Sequence, residues 1–268
     1  MAPDSQPATT DQVLLREVTD GICTLTLNRP NKRNPLSDEM LAMLQGALDE
    51  IARDVSIKAV ILTANGSVFS AGHDLKEVRA IADDYDKVHD LFQRCSRVML
   101  GFTRLPQPVI AKVQGTATAA GCQLVASCDL VYAADTAWFA TPGVNIGLFC
   151  STPAVAVSRS IGRKHAMEML VSGDMFSAED AHRFGLVNKI VPADALDAAV
   201  WDTAKSIAGR SSLTMSMGKG GFYEQLDMDL EAAYAHTSDI MARNMTAHDA
   251  KEGVDAFLEK RKPEWKGR

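Results

Sequence analysis

Two long stretches of this chain carry no charged side chain, Val113 to Cys128 and Thr136 to Ser158, and they restrict the possible folds more than any other feature. Uncharged segments of that length are either buried in a core or placed in a bilayer. The second is long enough to cross a membrane, yet Pro142, Gly143, Asn145, Gly147, Ser151 and Pro153 interrupt it and would strand backbone polar groups in lipid. Both stretches therefore read as buried wall, either plain packing or an uncharged pocket built from the two together. With 268 residues, 46% of them hydrophobic and 23% charged, the chain has enough apolar material for a large core.

The flanking segments alternate between strand and helix patterns. Val13 to Val18 and Ile22 to Leu27 are β-rich runs around Asp20-Gly21, a hairpin signal. Residues 28–35 (NRPNKRNP) form a loop, after which Ser37 is placed to cap a helix with Leu41, Leu44, Leu48 and Ile51 on one face. Residues 58–63 (KAVILT) follow as a buried strand. A helix near 84–104, a strand at 108–113, a helix near 121–128 and a strand at 130–133 continue the pattern, which predicts a mostly parallel sheet covered by helices. Beyond about Ser172 the chain turns helical. Ser177–Asp180 and Thr246–Asp249 both match the capping box, and 193–208, 227–244 and 247–260 have amphipathic spacing. The expected organisation is a flexible leader over 1–12, an α/β core over 13–195 and a helical region over 196–268.

Charge and composition exclude several classes of function. Twenty-eight Lys plus Arg against 34 Asp plus Glu leave a net charge of −6, which argues against nucleic-acid binding. Cys23, Cys95, Cys122, Cys128 and Cys150 form no C-x-x-C pair, and the six histidines stand singly, so the sequence offers neither a disulfide framework nor a metal cluster. Motifs for nucleotide hydrolysis, serine hydrolysis and zinc proteolysis are missing. The opening MAPDSQPATTDQ has no apolar core and no arginine, and the tail ends KGR. These features predict a cytoplasmic protein with no membrane association.

What remains is a pair of small-residue turns. Ser70-Ala-Gly-His-Asp-Leu75 follows the KAVILT strand and opens a helix; Gly115-Thr-Ala-Thr-Ala-Ala-Gly-Cys-Gln-Leu124 follows the strand ending at Val113 and opens another. Backbone N–H groups at such helix starts have no partner within the helix, and two of them aimed at one spot are the elements of an oxyanion site. Small side chains let a ligand approach the backbone.

At these residues the chain resembles the crotonase, or enoyl-CoA hydratase/isomerase, superfamily. Phe69-Ser-Ala-Gly-His-Asp-Leu75 is similar to its F-[SA]-A-G-x-D-[LI] segment and Ala120-Gly-Cys-Gln-Leu124 to its G-G-x-x-L segment, while NRP at 28–30 and FLEKRKPEW at 257–265 fit its two ends. The similarity runs from about Val13 to Trp265. It implies an α/β, crotonase-like spiral of ββα repeats, with a C-terminal helical region that builds homotrimers or dimers of trimers. It also implies an acyl-coenzyme A thioester as substrate, with no tightly bound cofactor and no metal. The backbone amides of His73 and Ala120 would hold the thioester oxygen while an enolate forms. The backbone of Ser70, Ala71 and Gly72 would meet the adenine, with Asp74, Leu75 and Gly121 completing the substrate-binding turns. Arg29, Lys32, Lys260 and Lys262 are the candidates for the phosphates.

The chain departs from the family pattern where the chemistry is done. Family hydratases use two glutamates, and the matching positions here are Gln123 and Gly143. An amide does not take up a proton near neutral pH and glycine has no side chain, so hydration by paired carboxylates has lost both groups. Cys150 stands where family decarboxylases carry a tyrosine, and reads either as a buried small hydrophobe or as a participant in the chemistry. The His73 side chain is expected to point away from substrate, and Asp74 and Asp129 to satisfy backbone groups at helix ends. Three activities remain open: enolate chemistry in the broad hydratase/isomerase sense, with weak or no hydration; decarboxylation of malonyl-type thioesters; and acyl-CoA binding without catalysis.

Overall fold

The hairpin predicted around Asp20-Gly21 forms, with β1 (Leu14–Thr19) antiparallel to β2 (Ile22–Leu27). Asp20 and Gly21 take φ 53° and 75°, the left-handed pair that matches strand twist in a tight hairpin. The computed structural model describes residues 12–268, so the expected leader lies outside the described residues apart from Gln12.

From the hairpin the chain runs into α1 (Asp38–Arg53), whose start is capped by the Ser37 hydroxyl accepting the Met40 N–H, and which buries Met40, Leu41, Leu44, Leu48 and Ile51. Then come β3 (Ala59–Ala64), β4 (Val68–Ser70), α2 (Leu75–Ile81), α3 (Tyr85–Arg104), β5 (Val109–Val113), β6 (Thr116–Thr118), α4 (Ala120–Ala126), β7 (Leu130–Ala134) and β8 (Trp138–Ala140). A 3₁₀ turn at Pro142–Ile146 leads to α5 (Ser151–Ser160), α6 (Arg163–Ser172), β9 (Phe176–Ser177), α7 (Ala178–Phe184) and β10 (Lys189–Val191). The C-terminal helices are α8 (Leu196–Ala208), α9 (Ser212–Gln225), α10 (Leu230–Thr246) and α11 (His248–Leu258).

The strands make two sheets. The first has the order β1-β2-β3-β5-β7-β10 and is parallel except for β1; the second has the order β4-β6-β8-β9, with only β9 antiparallel. A long strand of the first sheet is followed by a short strand of the second and then a helix, as in β3-β4-α2 and β5-β6-α4, so the chain winds as a spiral of ββα units. All six residues of β3 are buried, as expected for a parallel strand covered on both faces. One face of the first sheet packs with α1 and α3, and the other packs Ile22, Ile61 and Ile110 against Leu196, Val200 and Ala204 of α8.

Two local expectations are corrected. Ser177 forms its capping box with Asp180, but Thr246 does not cap: it ends α10, its hydroxyl donates to Arg243 O, and Ala247 precedes α11 without a side-chain cap. Asp249 is drawn instead to the chain end, accepting from the Ser211 hydroxyl (2.6 Å) and the Lys266 and Gly267 amides (2.8 and 2.9 Å). Burial opposes its ionisation, but these bonds and one from His248 outweigh that cost and hold its carboxyl down at about 2. The second charge-free stretch is also only partly buried wall. It is buried at Phe139 to Thr141 and Gly143, but Ile146, Leu148 and Phe149 are 59%, 53% and 49% exposed. No helix among the described residues is long and apolar enough to cross a membrane.

Candidate functional site

Parallel pairing of β4 with β6 sets Ser70 beside Ala117, so the turns leading into α2 and α4 leave the second sheet next to one another. Two glycines allow the approach. A Cβ on Gly121 would fall 2.3 Å from the carbonyl oxygen of Ser70, and one on Gly72 would fall 2.9 Å from Ala119 Cβ and 3.2 Å from the Ala120 nitrogen. Gly72 also holds φ +90°, where an L side chain is strained.

Ala119 sits at φ 51°, ψ −120°, a conformation that costs a non-glycine residue on the order of 1–3 kcal/mol. Its own N–H donates to Ala140 O of β8 at 2.9 Å, which clamps the strained turn. The Ala120 N–H that follows has no acceptor among the described residues, and neither has the His73 N–H. On the other side, Leu36 N donates to Gly72 O at 2.8 Å within a parallel bridge between Leu36 and His73, and Ala71 N donates to Arg33 O at 3.0 Å. The loop that carries Arg33 and Leu36 is pinned by the fully buried Asn34, whose amide donates to Asn65 O and Val68 O while its oxygen accepts from Arg29 N. The sequence signals neither the role of Asn34 nor the strain at Ala119.

The His73 imidazole lies Nδ1 to Leu36 O at 3.3 Å and edge-on to Phe92, with ring centroids 5.4 Å apart. Burial lowers its pKa from the ordinary histidine value, only partly offset by the Leu36 carbonyl, so the ring is neutral near pH 7. Its Nε2 is sealed from solvent without a partner among the described residues. Asp74 caps α2, accepting from Lys76 N at 2.9 Å, and Leu75 is exposed.

Gln123 lies one turn beyond Ala120 on the same face of α4. It is 4% exposed, and its Oε1 is sealed from solvent without a hydrogen-bond partner among the described residues. At Gly143 a Cβ would fall 2.5 Å from Leu148 O and 2.8 Å from Cys150 Sγ, because the chain folds back and Leu148 N donates to Gly143 O at 2.9 Å. Burial pushes the Cys150 thiol up, against a lowering contribution from the Gly143 amide, and pushes Cys122 up to about 12. All five cysteines are free and buried. Among the described residues no group of three or more His, Cys, Asp or Glu is placed to hold a metal ion.

The candidate cations divide. Arg29 and Lys32 lie in the loop whose Arg33 carbonyl holds Ala71. Lys260 and Lys262 belong to a tail tied elsewhere: Trp265 Nε1 donates to Gly209 O, Arg261 pairs with Glu252, and among the described residues no hydrogen bond or ion pair joins that tail to Ser70–Leu75.

Asp129 differs from expectation, since no helix end is its partner. It accepts from Val109 N (2.6 Å), Lys219 Nζ (2.7 Å) and Tyr223 OH (2.9 Å), and Lys219 also donates to Phe102 O and Gln107 O. Burial lowers the Lys219 pKa while Asp129 opposes the shift. The cluster fastens α9 to the segment that follows α4, and no local signal in the sequence pairs residues so far apart.

Residues 17–268 match the enoyl-CoA hydratase/isomerase family model. The chain is 46% identical over 263 residues to the rat protein named enoyl-CoA hydratase domain-containing protein 3, mitochondrial, covering 98% of this chain and 86% of that one. It is also similar to the crystal structure of the human enoyl-CoA hydratase domain-containing protein 3, with 47% identity, TM-score 0.92, and 95% and 100% of the two chains covered. A third relative is the crystal structure of enoyl-CoA hydratase from Mycobacterium smegmatis, with 52% identity, TM-score 0.91, and 95% and 99% covered. The combination of AGHDLKE, TAAGCQLVASCD and TPGVNIGLFCSTP points to the same group. One expectation is overturned: the rat relative and its mouse and human counterparts are named mitochondrial, which conflicts with the cytoplasmic location read from an arginine-free leader.

Proposed function

The chain belongs to the enoyl-CoA hydratase/isomerase family, and on that premise we propose that it polarises the carbonyl of an acyl-CoA thioester between the backbone amides of His73 and Ala120. The observation that carries this reading is the approach of Gly72 to the Ala120 nitrogen across two adjacent turns, with the His73 and Ala120 amides both without an acceptor among the described residues. Two donors fixed by the fold stabilise the oxygen as it gains charge and need no reorganisation at that moment. The strained Ala119 supports the reading, since strain of this kind persists where the surrounding structure holds it for a purpose.

Hydration is weak or absent in this proposal. Water addition needs a base and an acid near the reacting carbons, and the family's two carboxylate positions hold Gln123 and Gly143. Decarboxylation of a malonyl-type thioester makes smaller demands. The bond to the carboxylate breaks, its electron pair enters the enolate held by the two amides, and water or a weak acid returns a proton to the α carbon. The lack of a carboxylate at positions 123 and 143 favours this second reading over hydration.

Ser70 to Gly72 line the adenine side and Arg29 and Lys32 meet the phosphates; Lys260 and Lys262 remain the tail's candidates for them. Assembly into homotrimers or dimers of trimers is supported by the apolar side chains that α9 to α11 leave exposed, including Phe222, Leu230, Tyr234, Met241 and Phe257. A groove of about 460 Å³ lies beside Met241, Met245, Val254 and Trp265.

The test is an assay with crotonyl-CoA and methylmalonyl-CoA alongside calorimetric binding of CoA esters. Slow hydration with CO₂ release from methylmalonyl-CoA supports the decarboxylase reading. Tight binding with no turnover on either makes the chain an acyl-CoA binding protein, and fast hydration of crotonyl-CoA contradicts the proposal.

A further inference from the structure

Helices α1 and α3 pack side by side, and Gly101 lets them close up: a Cβ there would fall 2.8 Å from Leu48 Cδ1. Between them lies a groove of about 310 Å³, at the small end of the range for small-molecule clefts. Its apolar lining comes from Leu48 and Leu105, both buried, and from Leu100, which is exposed. Arg97 and Arg104 line it too, two turns apart on α3 and therefore on one face, about 10 Å apart along the helix axis. Neither guanidinium has an acid partner. Arg94 of the same helix pairs with Asp38 and Asp90, whereas Arg97 and Arg104 make no ion pair or hydrogen bond among the described residues. The acid in the groove, Asp49, accepts from Gln45 Nε2 at 2.9 Å and pairs with neither arginine, and Gln45 Oε1 accepts from neither. A chain of net charge −6 thus carries a groove lined by two arginines against one aspartate.

We propose that this groove binds a linear aliphatic dicarboxylate, laid along α3 with one carboxylate at each arginine and its methylene chain over the leucines. A guanidinium matches a carboxylate with two parallel hydrogen bonds, so each end of such a ligand finds a complementary fork. The separation of the two arginines selects the form of the ligand. A compact anion such as phosphate meets one arginine and leaves the apolar lining uncovered, and a monocarboxylate of the same chain length satisfies one arginine and leaves the other in water. An uncharged diol covers the leucines but brings no charge to either. None of these residues belongs to the paired turns around Gly72 and Ala120, so the inference stands apart from the thioester reading.

The test is calorimetric titration of the unmodified full chain with suberate at low ionic strength, where exposed charges are least screened, with octanoate, octanediol and inorganic phosphate as comparisons. The expected result is saturable binding of suberate with a Kd of about 1 mM or tighter, about tenfold or more tighter than any of the other three. Arg97→Gln and Arg104→Gln, both at exposed positions, are each expected to weaken suberate about tenfold, to the level of octanoate, while leaving octanoate itself little changed. Octanoate or octanediol binding as tightly as suberate would show an apolar groove that ignores the arginines, and overturns the inference. Phosphate binding as tightly would show that any anion serves, and overturns it as well. So does a suberate affinity that either arginine variant leaves unchanged, because the ligand then sits elsewhere, and so does the absence of suberate binding. The ligand series on the unmodified protein decides the first comparison, so a variant that fails to fold does not protect the inference.

Discussion

Gly72 and Ala120 meet across two turns from different ββα units: a side-chain carbon on the glycine would stand 3.2 Å from the alanine's amide nitrogen, with Ala119 Cβ nearer still at 2.9 Å. The close approach follows from parallel pairing of β4 with β6 and from the absence of side chains at Gly72 and Gly121. It brings two helix starts to one place.

Gly72→Val tests that approach. The φ of +90° and the crowding against Ala119 predict a stability loss of about 1–3 kcal/mol, measured by urea denaturation. Displacing either amide is expected to lower acyl-CoA turnover by about 100-fold or more, measured at saturating ester. A variant that folds and turns over normally would show that the turns have no part in the site.

Gly143 predicts the outcome of restoring the acids. Gln123→Glu together with Gly143→Glu is expected to give no useful gain in crotonyl-CoA hydration, because a Cβ at 143 runs into the Leu148 backbone 2.5 Å away and into Cys150 Sγ. The variant should also lose stability, on the order of 1–3 kcal/mol, read from its melting curve. A large gain in hydration would mean that residues 148–150 move aside freely.

Lys219 and Asp129 form a buried pair with side chains 7% and 17% exposed. Lys219→Met leaves the aspartate's charge and two carbonyls without their donor, and is expected to cost about 3–5 kcal/mol in chemical denaturation. Substituting both members together should cost less than the sum of the single changes.

Asp249 gives the chain an acid-sensitive anchor. Its folded-state pKa of about 2 lies below the ordinary 3.8, so its contribution is complete above pH 3.8 and is lost as the pH falls through 2. Asp249→Asn should therefore destabilise the protein near neutral pH, and the gap to the unmodified chain should narrow as the pH drops below 3.8. Denaturation curves at neutral and acidic pH check this, and a gap independent of pH would contradict it.

The parts of this fold legible in the sequence are those set by nearby residues. The β1-β2 hairpin follows from Asp20-Gly21, α1 from Ser37 and its apolar stripe, and α7 from the Ser177 capping box. The second sheet is not legible, because β4, β6 and β8 are three residues each, too short to show an alternating pattern. Thr246–Asp249 matches the capping pattern, yet the chain end, Ser211 and His248 compete successfully for the aspartate. The two turns of the site could be picked out by composition, since small residues are what permit a close approach. Their meeting could not, nor could the strain at Ala119 or the Asp129–Lys219 pair, because each depends on how distant segments pack.

The most direct test of the central claim is infrared difference spectroscopy of a bound acyl-CoA carrying ¹³C at the thioester carbonyl. Two amides holding that oxygen weaken the carbon–oxygen bond, so the account predicts a carbonyl stretch shifted to lower frequency on binding, and a shift that disappears in Gly72→Val. A bound ester whose carbonyl band stays at its position in water would contradict it.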